Sequence, residues 1–222
     1  MTFKNALVVF SGGMDSAVLL AKTVREQEFG TVLALTFFYG AKHSSREVTC
    51  AKLFAQELGV SHTQVDLGEI GRHFSSSLLK GGEPIPEGSY ADTNMKSTVV
   101  PFRNGIFLAF AVGFAESYRC STVLIGSHSG DHPVYPDCRL EFTEAFSIAA
   151  SLGTYAHIQV KAPFAAFSKT DIACLGAELA VDFTNTWTCY QGGKKHCGVC
   201  ASCRERKEAL TKALGKDPTE YQ

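Results

Sequence analysis

No apolar run in the 222-residue chain approaches the roughly 18 to 20 residues that a membrane-crossing helix needs, so no span is expected. A surplus of charge is missing too. With 21 Lys+Arg against 22 Asp+Glu and a net charge of −1, a broad surface for nucleic acid or anionic membrane is not expected. At the start, Lys4 alone precedes a five-residue apolar stretch, too short for a signal-peptide core, and a cytoplasmic, reducing location follows. Internal repeats and low-complexity tracts are lacking. What is left, 45% hydrophobic and 19% charged residues, describes a soluble globular protein of one well-filled domain with room for a small appendage.

The apolar residues fall into alternating periods. Ala6 to Phe10 is a compact run, followed by a Ser-Gly-Gly turn and, from Asp15 to about Arg25, apolar residues at helical spacing. Thr31 to Phe38 is β-branched and aromatic, while Ser45 to Leu58 sets Val48, Ala51, Phe54, Ala55 and Leu58 on one helical face. His62 to Leu67 predicts a third strand. Gly81 to Val100 then reads as a long irregular loop, the kind that usually functions or moves. Helix resumes at Asn104, a good cap, with Ile106 to Phe114 nearly all apolar, and leads into a strand at Thr122 to Ile125. Helix-compatible Glu141 to Leu152, strand-like His157 to Ala162 and helix-compatible Lys169 to Leu179 follow. This alternation predicts an α/β fold with a doubly wound, mostly parallel sheet covered on both faces. Ligands then belong beyond the carboxyl ends of strands, in the loops after Phe10, Phe38, Leu67 and Ile125.

The first of those loops is Ser11-Gly12-Gly13-Met14-Asp15-Ser16. Its glycines let backbone N–H groups approach an anion, the helix start adds the positive end of its dipole, and Ser11 and Ser16 offer hydroxyls. It is neither Walker A nor Gly-x-Gly-x-x-Gly. A tight turn capped by Asp15 would explain the same residues. Yet a carboxylate inside an anion nest calls for Mg²⁺ to share the site with nucleotide phosphates. The string resembles the pyrophosphate loop of the N-type ATP pyrophosphatases, which implies cleavage of ATP between its α and β phosphates.

Eight cysteines are present. Cys50, Cys120, Cys138 and Cys174 are scattered and read as small buried hydrophobes. Cys189, Cys197, Cys200 and Cys203 fall within fifteen residues as C-x₇-C-x₂-C-x₂-C, a set able to surround one ion tetrahedrally. Disulfides and an iron–sulfur cluster compete for it. Zinc is favoured because Gly198 shapes a knuckle-like turn, and four thiolates leave no open position, so the metal is structural. His196 reads as a neighbour of the set or a solvated residue.

Three further segments carry chemistry-bearing side chains. Arg103 sits at the start of the buried helix, where an isolated arginine could simply be solvated. Gly126 to Asp131 continues to Tyr135-Pro136-Asp137-Cys138-Arg139 past a strand end. There Asp137 could accept from a purine-like N–H edge, or the stretch could be a polar loop. Ser168-Lys169-Thr170-Asp171 starts a helix capped by Ser168, with Asp171 in the capping-box place; Lys169 could meet a phosphate or be a surface lysine.

Together these segments resemble the QueC family of queuosine biosynthesis, the 7-cyano-7-deazaguanine synthases, from Ala6 through Tyr221. The carriers are Ser11 to Ser16, Val100 to Asn104, Tyr135 to Arg139, Ser168-Lys169, and Trp187 to Tyr190 leading to the four cysteines and Asp217-Pro218-Thr219. The resemblance implies an adenine nucleotide alpha hydrolase-like (PP-loop) domain over residues 1–185 and a small zinc-binding helical region over 186–222. It implies an ATP-dependent ligase that joins 7-carboxy-7-deazaguanine and ammonia into the nitrile through an adenylated acid and an adenylated amide, with ATP, Mg²⁺ and one Zn²⁺, as a homodimer. Carried onto this sequence, Phe10, Ser11, Gly12, Gly13, Met14, Asp15, Ser16 and Ala17 would bind ATP. Asp15, Lys169 and Arg103 would be catalytic, with Arg103, Asp131 and Asp137 at the substrate. Cys189, Cys197, Cys200 and Cys203 would hold the metal. The rival readings are a relative that couples the activated deazaguanine to another amine, a PP-loop tRNA-modifying enzyme, which would need a basic surface that this charge balance does not supply, and a non-enzymatic zinc module for protein contacts, which would leave the Ser11 to Ser16 loop without a role.

Overall fold

The computed structural model describes residues 5–88 and 93–222, so Lys4 and the middle of the Gly81 to Val100 loop lie outside the described residues. The N-terminal apolar run is β1 (Asn5–Val9), whose Ala6, Leu7 and Val8 are fully buried, as a central parallel strand requires. It pairs in parallel with β2 (Val32–Phe38) on one side and β4 (Cys120–Leu124) on the other. β3 (Ser61–Asp66) extends the sheet beyond β2, and β5 (Gln159–Lys161) beyond β4, again in parallel. The order is β3-β2-β1-β4-β5. The chain therefore leaves β1 in one direction first and the other later, and the carboxyl ends of β1 and β4 open a crevice between them.

Helices cover both faces. Against one pack α1 (Met14–Arg25), α2 (Ser44–Glu57), α6 (Lys169–Glu178) and α7 (Ala201–Leu214), joining Val8, Phe10, Val18, Leu20, Phe54, Ile172 and Leu210 in one core. Against the other lies α4 (Arg103–Ser117), with α5 (Leu140–Gly153) beside β5; Phe37, Phe107, Leu108, Val112, Val123 and Ile158 form the second core. Each such side chain contributes about 1.5–3 kcal/mol when buried. A single turn, α3 (Ile70–His73), follows β3, and that loop contributes no residue to the crevice lining, contrary to the expectation for the loop after Leu67.

Several expectations need correction. α4 begins at Arg103, with Phe102 in the left-handed region as its N-cap (φ 52°), so Asn104 is inside the helix. The stretch Met95–Ser117 has the length and hydropathy of a membrane span, which a search for unbroken apolar runs does not register; half of that window is buried inside the protein. Among the scattered cysteines, Cys120 and Cys138 are buried, but Cys50 is only partly so and Cys174 is exposed on α6.

Candidate active site

The loop after β1 is built by close backbone approach. Gly12 has φ +83°, and a Cβ there would come within 2.5 Å of the Glu47 carbonyl and 2.7 Å of the Ala51 nitrogen, so only glycine lets α2 lie against it. Gly13 is the N-cap of α1 and makes no side-chain cap bond, which leaves the first N–H groups of α1 to an external acceptor. The hydroxyls shape the turn: Ser11 Oγ accepts from Gly13 N at 3.1 Å, and Ser16 Oγ accepts from Ser11 N at 3.2 Å and donates to the Gly13 carbonyl at 3.1 Å.

Asp15 does not cap this helix. Its Oδ2 lies 2.6 Å from Lys169 Nζ, across the crevice at the start of α6, where Ser168 and Asp171 form the expected capping box. Burial would raise the Asp15 carboxyl, but the Lys169 ammonium and His128 outweigh it and hold it below the ordinary carboxylate range. Burial likewise works against the Lys169 charge, and Asp15, Glu205 and Asp131 overcome it, so its pKa is raised. Glu205 Oε2 of α7 is 3.6 Å from the same ammonium, and His128 Nε2 is 3.4 Å away. Asp15 Oδ1 is buried with no hydrogen-bond partner among the described residues, a donor-free oxygen that suits a divalent cation beside phosphates. Asp131 lines the same end, its Oδ2 accepting from the His128 N–H at 3.3 Å.

From here the crevice, about 1060 Å³ including its open mouth, runs under the β4 end to an aromatic chamber. Phe37 stacks on Phe107 with centroids 4.4 Å apart, and Tyr39 meets Phe107 edge-on at 5.3 Å. The Arg103 guanidinium enters this chamber over Tyr39 and Phe107, and its Nη1 donates to Tyr39 Oη at 3.3 Å. It is not the solvated arginine that its isolation in the sequence allowed. Glu47 in the first turn of α2 and His43, its N-cap, line the same chamber, with His43 Nε2 3.7 Å from Glu47 Oε2. That geometry would suit an ion pair, yet burial pushes the Glu47 carboxyl up to about 8 and the His43 imidazole down to about 4.

Asp137 lies outside this lining. Its Oδ2 accepts the Asn104 N–H at 2.8 Å, filling the cap that Phe102 cannot supply to α4. Sequence reasoning missed Tyr39, His43, Glu47, His128 and Glu205. The loop after Phe38, an expected ligand position, supplies Tyr39 and His43, and Glu47 follows in the first turn of α2.

The four cysteines converge: their Sγ atoms lie within 4.8 Å of one another, close to the roughly 3.8 Å edge of a tetrahedron with 2.3 Å metal–sulfur bonds. Gly198 adopts φ +77° in the knuckle, where the Cys200 N–H points to Cys197 Sγ at 3.4 Å. Hydrogen bonds inside the set pull the Cys189 thiol down and push Cys200 and Cys203 up, as happens to thiols too close to ionise independently. These residues fit one metal ion. His196 is not solvated; its ring packs on Trp187 at 4.3 Å and its Nε2 accepts the Thr188 N–H. The metal segment touches the nucleotide loop directly, since the Trp187 N–H donates to the Gly12 carbonyl at 2.9 Å.

The queuosine biosynthesis protein QueC family matches residues 5–214. A 7-cyano-7-deazaguanine synthase of Desulfotalea psychrophila is 54% identical over 217 residues, 98% of each chain. One from Porphyromonas gingivalis is 50% identical over 219 residues, 99% of this chain and 98% of that one. Among solved structures, NMN synthetase from Francisella tularensis aligns with a TM-score of 0.52 at 13% identity, covering 98% of this chain and 80% of that one. The U34-tRNA thiolase NcsA of Methanococcus maripaludis, solved with its 4Fe-4S cluster, gives 0.51 at 15%, covering 96% and 68%. At those identities the two structures speak for the PP-loop fold alone. Matched along nearly its whole length by the family and by relatives at about half identity, the chain belongs to the QueC family of queuosine biosynthesis proteins.

Proposed function

We propose that this chain, like the 7-cyano-7-deazaguanine synthases it resembles, makes 7-cyano-7-deazaguanine, and that it does so as an ATP-dependent ligase acting on 7-carboxy-7-deazaguanine and ammonia. The observation that carries the reading is a single crevice with two unlike ends: an uncapped helix N-terminus facing a buried Lys169–Asp15 pair, and an aromatic chamber entered by Arg103.

A carboxylate is a poor acyl donor and an amide oxygen a poor leaving group, so the substrate is activated twice. The carboxylate oxygen attacks the α phosphorus and pyrophosphate leaves; ammonia displaces AMP to give the amide. The amide oxygen then takes a second adenylyl group, and loss of AMP and of the nitrogen's remaining protons leaves the nitrile. Ser11, Gly12, Gly13 and Ser16, flanked by Phe10, Met14 and Ala17, grip the pyrophosphate through backbone N–H groups. Lys169 and Arg103 are donor-only cations that meet phosphate and carboxylate charge, fixed before the reaction begins. Mg²⁺, held at Asp15, would neutralise phosphate charge. Asp131 is assigned to the substrate at the phosphate end. Asp137 enters through the helix it caps, which aims Arg103.

In the same reading residues 1–185 form the nucleotide domain and 186–222 a zinc-holding appendage packed on it. Zinc suits four thiolates that hold a structural ion without a redox role. The enzyme works in the cytoplasm on small molecules, without nucleic acid or membrane. A second copy covers the apolar outer face of α4 and α5, where Phe102, Phe110, Ile148, Leu152 and Tyr155 are exposed.

The test is mass spectrometry of purified protein with 7-carboxy-7-deazaguanine, ammonium, Mg²⁺ and ATP, following deazapurine and nucleotide together. Nitrile with AMP is the expected result. Nucleotide left intact would overturn the reading.

A further inference from the structure

We propose that Glu47 is the residue that reads the guanine-type edge of the heterocycle, an inference that rests on the deazaguanine reading above. Such a ring presents two donors side by side, the ring N1–H and the exocyclic 2-amino group. One carboxylate can accept from both at once.

Three carboxylates line the crevice among the described residues: Asp15, Asp131 and Glu47. Two of them are committed at the phosphate end. Asp15 Oδ2 is held by Lys169 at 2.6 Å, and Asp131 Oδ2 takes the His128 N–H at 3.3 Å. Glu47 is at the other end, and His43 Nε2 at 3.7 Å is beyond hydrogen-bond range of its carboxylate. Asp137, the residue whose sequence context suggested edge recognition, already receives the Asn104 N–H and is not among the residues lining the crevice.

The surroundings of Glu47 fit a flat heterocycle. Phe37, Tyr39 and Phe107 supply ring faces within the same chamber, and Arg103 supplies donors where Glu47 supplies acceptors. A deazaguanine carries both kinds of group, acceptors at its 6-oxo and 7-carboxylate oxygens and donors at N1 and N2. Paired with those two N–H donors, which favour its ionised form, Glu47 accepts only while Arg103 donates only, so the two side chains match the ring in kind. The simpler role, an acid in the first turn of α2 favoured by the helix dipole, would be met by an exposed glutamate. Here the side chain is only 17% exposed and lines the chamber.

The experiment is calorimetric titration of the whole protein, with α,β-methylene-ATP present, by 7-carboxy-7-deazaguanine and by 7-carboxy-7-deazahypoxanthine, which lacks only the 2-amino group. A site built to pair that group should favour the guanine compound by at least about tenfold in the wild type. In Glu47→Gln the preference should fall to within about twofold, because the amide offers a single acceptor oxygen; Glu47→Asp should keep part of it. The dissociation constant of α,β-methylene-ATP alone should be the same in all three proteins. An unchanged preference in Glu47→Gln overturns the proposal, as does a loss confined to nucleotide affinity, which would place Glu47 at the ATP instead. If the wild type binds neither acid, the deazaguanine reading fails and this inference falls with it.

Discussion

Lys169 Nζ and Asp15 Oδ2 meet at 2.6 Å from positions 154 residues apart in the chain, joining the start of α6 to the loop after β1. Removing the cation alone strands a largely buried carboxylate, and removing both groups does not. Lys169→Met should therefore destabilise by about 2 kcal/mol, less than a fully buried pair because Asp15 retains some exposure. Lys169→Met with Asp15→Asn should recover most of that loss in urea unfolding. Turnover should drop by about 10²-fold or more in either variant, since stability can be restored without the cation. Equal stability of the single and double variants would contradict the pairing.

The Glu47 carboxyl gives a pH signature in the free protein. Burial raises it from about 4.5 to about 8, so between those values the folded state holds a proton that the unfolded chain has released. Its contribution to stability is complete below the unfolded value and is lost as pH rises through the folded one. His43, lowered to about 4, works in the opposite direction at lower pH but is shared by wild type and variant. The melting temperature of Glu47→Gln minus that of wild type should thus increase from pH 5 to pH 8.5. A flat difference would mean that Glu47 titrates normally.

Asp137 should behave as a cap. Asp137→Ala removes the acceptor for the Asn104 N–H and should cost about 1–2 kcal/mol, on the order of 2–8 °C in melting temperature. Affinity for the guanine edge, measured as the preference over the deazahypoxanthine, should stay within about twofold of wild type, unlike Glu47→Gln. Collapse of that preference with an unchanged melting temperature would return Asp137 to the substrate.

Metal loading should reach the nucleotide. Cys189 lies two residues after Trp187, which holds Gly12, while Cys200 and Cys203 begin the helix that carries Glu205 to Lys169. The chain has one tryptophan, so its fluorescence reports this junction alone. Chelation should shift the Trp187 emission and weaken ATP-analogue binding together, and readdition of Zn²⁺ should restore both. ATP affinity that survives complete loss of metal would separate the two sites.

Much of this was legible in the sequence because it is local. The strand–loop–helix at residues 5–25, the Ser168 capping box and the cysteine knuckle each arise from residues close together, with periodicity or spacing to mark them. Parallel pairing of the sheet followed from alternation, whereas the order β3-β2-β1-β4-β5 came only with the fold. What escaped depends on contacts distant in the chain. Asn104 looks like a cap, and only the fold reveals that Asp137 supplies the bond from another loop. Glu47 sits among polar residues in an ordinary amphipathic helix, and no spacing marks it; the closeness of Gly12 to α2 turns that face toward the crevice.

That closeness also limits how the family's substrate range can evolve. The backbone of Gly12 presses on the backbone of α2 at Glu47 and Ala51, with no side chain between them to absorb a shift. A tilt of α2 that reshaped the chamber would be paid for in ATP binding. A lineage adopting a different deazapurine would be expected to change the side chain at position 47 and leave the path of the helix as it is.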